Sequence, residues 1–198
     1  VLFRSPIPIS PLVQLDRERC ILCDRCTRFA KEVAGDPLIH FIGRGAQTEV
    51  NTFPEHPFSS YFSGNTVQIC PVGALTNKPY AFHGRPWELR KTESIDVFDA
   101  VGTNIRLDSR GREVLRILPR VNDDVNEEWI SDKARFQVDG LNRRRLDKPW
   151  LRRDGKLEAA TWEEALELAG GALARLRDSH GPKALAGFGS AKGSNEEA

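Results

Sequence analysis

Methionine is absent from all 198 residues, which raises the expectation of a processed chain or of a piece of a longer one. No apolar run approaches the roughly 20 residues that a membrane-spanning helix needs, so no span is expected. The opening VLFRSPIPISP lacks the sustained apolar stretch of a secretory signal. A surplus of one charge is missing as well. With 29 basic residues against 28 acidic ones, there is no strongly basic face of the kind that nucleic acid demands, and no nucleic-acid partner is expected. Cysteine is scarce, and four residues are too few for a disulfide-stapled scaffold. Apolar residues are not scarce: at 39% hydrophobic, the chain is expected to fold rather than stay disordered, as one or two domains.

The four cysteines are placed unevenly. Cys20, Cys23 and Cys26 crowd into one short stretch, Cys70 follows with Pro71 behind it, and none occurs later. A 4Fe–4S cube needs four thiolates at its four iron corners, and a CxxCxxC loop wraps one side of such a cube to supply three. In two-cluster ferredoxins the remote Cys-Pro serves the other triplet; here one triplet and one Cys-Pro close on a single four-thiolate cluster. Pro71 fixes its own φ and removes a backbone donor, which discourages helix at the last ligand. Structural zinc usually takes two CxxC pairs, so a triplet fits it less well. Zinc and unligated cysteines stay open as alternatives. Arg19, Arg25, Arg28 and Lys31 lie close in sequence and would either stabilise a reduced, more negative cluster or form a solvated face. His40 and His56 are further metal-ligand candidates, and weaker ones with four thiolates to hand.

Pro6, Pro8 and Pro11 predict an extended strap at the start. Spacing predicts a helix over residues 27–34, ended by Gly35, then strands at 38–42 and 48–52 around Gly43-Arg44-Gly45. A Pro-, Ser- and Gly-rich loop should run to Cys70, with a short helix starting near Gly73. Residues 104–107 and 114–118 read as a hairpin, and Asp154-Gly155 marks a second. Thr161 and Glu164 form a capping box at the head of a helix whose apolar stripe is Trp162, Ala165, Leu166, Ala169, Leu173 and Leu176. His180-Gly181-Pro182 ends it. Residues 184–188 read as a buried strand, and Asn195-Glu196-Glu197 as the start of another helix. Gly187, Gly189 and Gly193 miss the dinucleotide spacing by one residue, and Lys192 sits in no Walker frame. Arg143-Arg144-Arg145 and Arg152-Arg153 read as solvated or partner-facing surface.

The segments Asp16-Arg-Glu-Arg-Cys20-Ile-Leu-Cys23-Asp-Arg-Cys26-Thr-Arg-Phe29 and Ile69-Cys70-Pro-Val-Gly-Ala-Leu75 resemble one known family. So do Arg85-Pro-Trp-Glu-Leu-Arg-Lys-Thr-Glu-Ser-Ile95 and Asn126-Glu-Glu-Trp-Ile-Ser-Asp-Lys-Ala-Arg-Phe136. It is the large iron–sulfur subunit (75 kDa type) of the proton-pumping NADH:quinone oxidoreductase, respiratory complex I. The resemblance implies an α+β chain in three parts. A small cysteine-rich 4Fe–4S ferredoxin-like domain spans residues 1–84. A β-rich segment of molybdopterin-oxidoreductase cluster type, without its cysteines, spans 85–144, and the start of an α/β molybdopterin oxidoreductase-like domain spans 145–198. It implies that Cys20, Cys23, Cys26 and Cys70 ligate one 4Fe–4S cluster, that a 2Fe–2S and another 4Fe–4S cluster belong to sequence upstream of Val1, and that no molybdenum is bound. Its partners would be other peripheral-arm subunits, including the flavin-bearing NADH-oxidising one. Its location would be the cytoplasmic face of the bacterial plasma membrane or the matrix side of the mitochondrial inner membrane, held there peripherally. Some relatives carry a further cubane where this chain has Asp96, Asp99, Thr103 and Ser131, so none is expected there. The catalytic subunit of an NAD-linked formate dehydrogenase, which the stretch from Gly187 to Glu197 also resembles, is the alternative.

Overall fold

A computed structural model describes residues 6–53, 55–141, 143 and 146–189. The chain divides into two compact units, residues 1–142 and residues 143–198, and both mix helix with strand.

In the first unit the proline-rich opening is more than a strap. Ile7–Pro8 (β1) pairs antiparallel with Val13–Leu15 (β2). Pro8 is tolerated because β1 is an edge strand, where a missing N–H interrupts no ladder. Arg25–Arg28 form a helical turn (α1) that widens over Phe29–Val33, where the Ala34 N–H donates to the Phe29 carbonyl five residues back at 2.9 Å. The helix expected over 27–34 thus starts two residues earlier and gives way at Gly35, whose φ of +71° suits glycine. Ile39–Ile42 (β3) and Glu49–Thr52 (β4) form the expected antiparallel ribbon.

The stretch expected as loop up to Cys70 contains a helix, Ser63–Ile69 (α2), and in place of a helix from Gly73 there is a strand, Leu75–Asn77 (β5), paired with β2. No apolar period announces α2 because its inward face is polar, with Ser63, Asn65 and Thr66 buried.

Arg90–Ile95 (β6), Asn104–Arg110 (β7) and Glu113–Pro119 (β8) build an antiparallel sheet. The expected hairpin is β7–β8, turning at Gly111, and β6 adds a third strand. Asp132–Phe136 (α3) and Val138–Leu141 (α4) follow. Two cores result. Ile9, Val13, Leu15, Ile39, Val50 and Phe58 lie at the centre of one, and Ile105, Ile117, Ile130 and Ala134 make the other.

Helix α2 is tied to the 130–135 stretch by hydrogen bonds. Asn65 donates to the Ile130 carbonyl at 2.8 Å and accepts from Arg135 at 2.7 Å; Asp132 accepts from the Ser63 hydroxyl and from the Gly64 N–H. Burial holds the Asp132 carboxyl above its ordinary range despite the Ser63, Gly64 and Arg135 contacts that oppose it. Burial likewise pulls Arg135 down to about 10, against the pull of Asp132. A Cβ on Gly64 would sit 2.4 Å from Arg135 Cδ and 3.0 Å from Asp132 Oδ1. Gly64→Ala should gain about 1 kcal/mol in helix propensity but lose about 1–3 kcal/mol to overpacking, and further stability to the displacement of a buried guanidinium. A net drop in thermal midpoint is expected; a rise would contradict this packing.

In the second unit Trp150–Arg153 (β9) and Lys156–Ala159 (β10) form the hairpin expected at Asp154-Gly155. Trp162–His180 (α5) follows, with the Thr161–Glu164 capping box formed and Gly181 at its end. Its stripe is uncovered: Trp162, Leu166, Leu173 and Leu176 are all exposed. The buried strand expected at 184–188 is not there. Pro182–Ala184 make a single tight turn, residues 185–189 are irregular, and Phe188 is fully exposed. No strand among the described residues pairs with this stretch, and a strand without a partner leaves its backbone groups unbonded. Arg144, Arg145, Lys192, Gly193 and the helix expected from Asn195 lie outside the described residues.

Candidate metal centre

The loop carrying the triplet is bent by its backbone. Leu22 (φ +54°) and Asp24 (φ +66°) flank Cys23 in the left-handed region, which non-glycine residues enter at a cost of about 1–3 kcal/mol when the surroundings require it. The Thr27 hydroxyl donates to the Asp24 carboxylate and helps to hold this turn. Cys20 follows a short helical turn at Arg17–Arg19, capped by the Asp16 side chain. Cys70 is delivered by α2: the helix stops at Ile69, and Cys70 is extended (ψ 117°), as a residue before proline prefers.

These elements bring Cys20, Cys23, Cys26 and Cys70 around one small pocket, floored by Leu15, Val50 and Leu75. Cys20, Cys26 and Cys70 are half-buried against the first core, and Cys23 is exposed. The Cys26 thiol is pushed up to about 12 by burial and by the neighbouring Cys20, Cys70 and Cys23, with a backbone hydrogen bond at Thr27 opposing. Each of these thiols makes ionisation of Cys26 harder. A bound cation reverses that logic, so loading such a pocket with metal releases protons. Among the described residues no three His, Cys, Asp or Glu side chains close on a point suited to one metal ion.

The other candidates fall away from this pocket. His40 stacks on Phe53 at 4.0 Å, and neither His40 nor His56 lines it. Of the basic residues near the triplet, Arg25 lines the pocket, Arg19 pairs with Asp16 at 3.0 Å, and Arg28 pairs with Glu32 at 3.3 Å. The hydrogen-bonded support of α2 by residues 130–135 was not legible in the sequence, because nothing in a run such as Ser-Gly-Asn-Thr signals which groups will be buried.

At Asp96, Asp99 and Ser131, positions the sequence resemblance singled out, the side chains make local hydrogen bonds. Asp96 accepts from Phe98 N–H and from the Gln137 amide, Asp99 accepts from the N–H groups of Val101, Gly102 and Thr103, and Ser131 caps α3. Partial burial opposes ionisation of Asp99, but these hydrogen bonds outweigh it and hold the carboxyl below its ordinary range. Asp99→Ala should loosen this turn and leave the iron content of the chain unchanged; iron loss would mean that the loop takes part in metal binding.

Residues 10–76, which hold all four cysteines, match a family model described as NADH-quinone oxidoreductase subunit 3, ferredoxin-like domain. Residues 89–139 match the 4Fe-4S domain of the NADH-ubiquinone oxidoreductase NDSU1/NuoG-like type, and residues 145–198 match molybdopterin oxidoreductase. The 78 kDa mitochondrial subunit of NADH-ubiquinone oxidoreductase from Candida albicans is 54% identical over 180 residues, 90% of this chain and 25% of the relative. The chain belongs to the family of the large iron–sulfur subunit of NADH:quinone oxidoreductase. The 75 kDa subunit from Reclinomonas americana is 55% identical over 87% of this chain and 25% of its own length. The corresponding bacterial subunit of NADH-quinone oxidoreductase, from Rickettsia bellii, is 55% identical over 80% and 23%. The chain thus spans about a quarter of these relatives. The names support the complex I family over the formate dehydrogenase alternative. The fold class follows: a ferredoxin-like 4Fe–4S domain, then a β-rich cluster-type segment, then the start of a molybdopterin oxidoreductase-like domain. Residues 89–139 contain no cysteine, whatever the model they match is called.

Proposed function

We propose that this chain relays single electrons inside NADH:quinone oxidoreductase through one 4Fe–4S cluster ligated by Cys20, Cys23, Cys26 and Cys70. The observation that carries this reading is the pocket lined by all four cysteines, the last supplied by a separate helix. A four-cysteine cubane exchanges one electron at a time and has no open position for substrate. The residues around it anchor and exclude water: Leu15, Val50 and Leu75 close the floor, and the two left-handed residues fix the loop. On this reading residues 1–84 are the cluster domain, 85–144 a scaffold without a cluster, and 145–198 the start of a domain without molybdenum. Electrons arrive from a flavin-bearing NADH-oxidising subunit and leave toward quinone, with a 2Fe–2S and a second 4Fe–4S cluster in upstream sequence. No helix among the described residues is long and apolar enough to cross a membrane, in keeping with peripheral attachment through the complex.

The test is metal and sulfide analysis after anaerobic reconstitution, with EPR after dithionite reduction. About four irons per chain with matching sulfide and a fast-relaxing signal are expected. Stoichiometric zinc without iron in protein purified anaerobically from its host would replace the relay with a structural module.

A further inference from the structure

We infer that Arg25 and Asp24 set the reduction potential of the cluster in opposite directions, Arg25 raising it and Asp24 lowering it. This rests on the cluster reading above. Both residues line the pocket with the four cysteines. Arg19 and Arg28 spend their charges on Asp16 and Glu32, and neither they nor Lys31 line the pocket. Arg25 has no ion pair and no side-chain hydrogen bond among the described residues. Arg25 is thus the basic side chain that lines the pocket, and among the described residues no carboxylate pairs with it. On the other side of the same peptide, Asp24 accepts from the Thr27 hydroxyl, which orients the carboxylate and leaves its negative charge in place.

Reduction of the cluster takes up one electron and adds one negative charge to a group that four thiolates already make anionic. A nearby cation favours the added charge and a nearby anion opposes it. The apolar floor of Leu15, Val50 and Leu75 screens this field less than water would. Arg25 is exposed, so its contribution falls as salt rises.

The experiment is a potentiometric titration followed by EPR on the anaerobically reconstituted chain and its R25Q, R25K and D24N variants. Asparagine tolerates the left-handed backbone that Asp24 holds, so D24N removes the charge and keeps the turn. At a fixed ambient potential R25Q should cut the reduced-to-oxidised ratio about tenfold, which for a one-electron couple is about 59 mV. D24N should raise the ratio in like proportion, and R25K should stay near the wild type. Added salt should shrink the R25Q shift. Shifts of the same sign in R25Q and D24N, or no shift in either with the signal intact, would overturn the inference. Should R25Q fail to assemble its cluster, the sign of the D24N shift decides. A wild-type chain that takes up no iron would instead remove the relay reading on which this one stands.

Discussion

Cys26→Ser is expected to empty the site, taking iron from about four atoms per chain to less than about one. Serine fits the space, but its hydroxyl stays protonated where a cysteine supplies a thiolate ligand. Cys26 is the thiol whose ionisation burial and the other three thiols oppose, so on the cluster reading its thiolate depends on the metal. The metal-free forms of wild type and variant should melt at similar temperatures, because the swap is nearly isosteric. The metal-loaded wild type should melt well above both, since binding to the folded state alone adds directly to stability. Iron retained at wild-type levels in Cys26→Ser would remove this residue from the ligand set.

Asp108→Ala should produce the largest loss of stability away from the pocket. Asp108 is fully buried between two arginines, with Arg106 Nε at 2.8 Å and Arg116 Nε at 2.7 Å. Deleting one partner of a buried ion pair costs about 3–5 kcal/mol. The lower end applies, because both arginine side chains are partly exposed and can turn their heads toward water. About 3 kcal/mol corresponds to roughly 6–12 °C in thermal midpoint for a chain of this size. Arg116 also lies over the Tyr80 ring at 4.6 Å, so loss of its anchor should disturb that contact as well. An unchanged melting curve would mean that the triad contributes nothing.

Much of the site is legible in residues alone, because ligand chemistry is local in type and spacing. Three cysteines at spacing three and a Cys-Pro point to a cluster, with zinc as the alternative, without any knowledge of the fold. The ribbon at 39–52, the hairpin at 104–119 and the capped helix from Trp162 are legible for a similar reason, since turn chemistry and caps act within a few residues. What the sequence conceals is long-range. Helix α2 has a polar inner face whose hydrogen-bond partners lie more than sixty residues away, so no local period marks it. The stretch at 184–188 shows the converse: its composition suits a strand, but a strand depends on a neighbour.

The bonds between α2 and the 130–135 stretch have a consequence for metal affinity. Helix α2 stops at Ile69, directly before Cys70, so on the cluster reading residues 130–135 hold the fourth ligand in position. Retention of metal and order in residues 130–135 are then two faces of a single linkage equilibrium. On the cluster reading, substitution at Asp132 or Asn65, with no thiolate touched, is expected to lower the iron content measured after reconstitution. Loss of iron would in turn be expected to loosen residues 130–135, which carry none of the four cysteines.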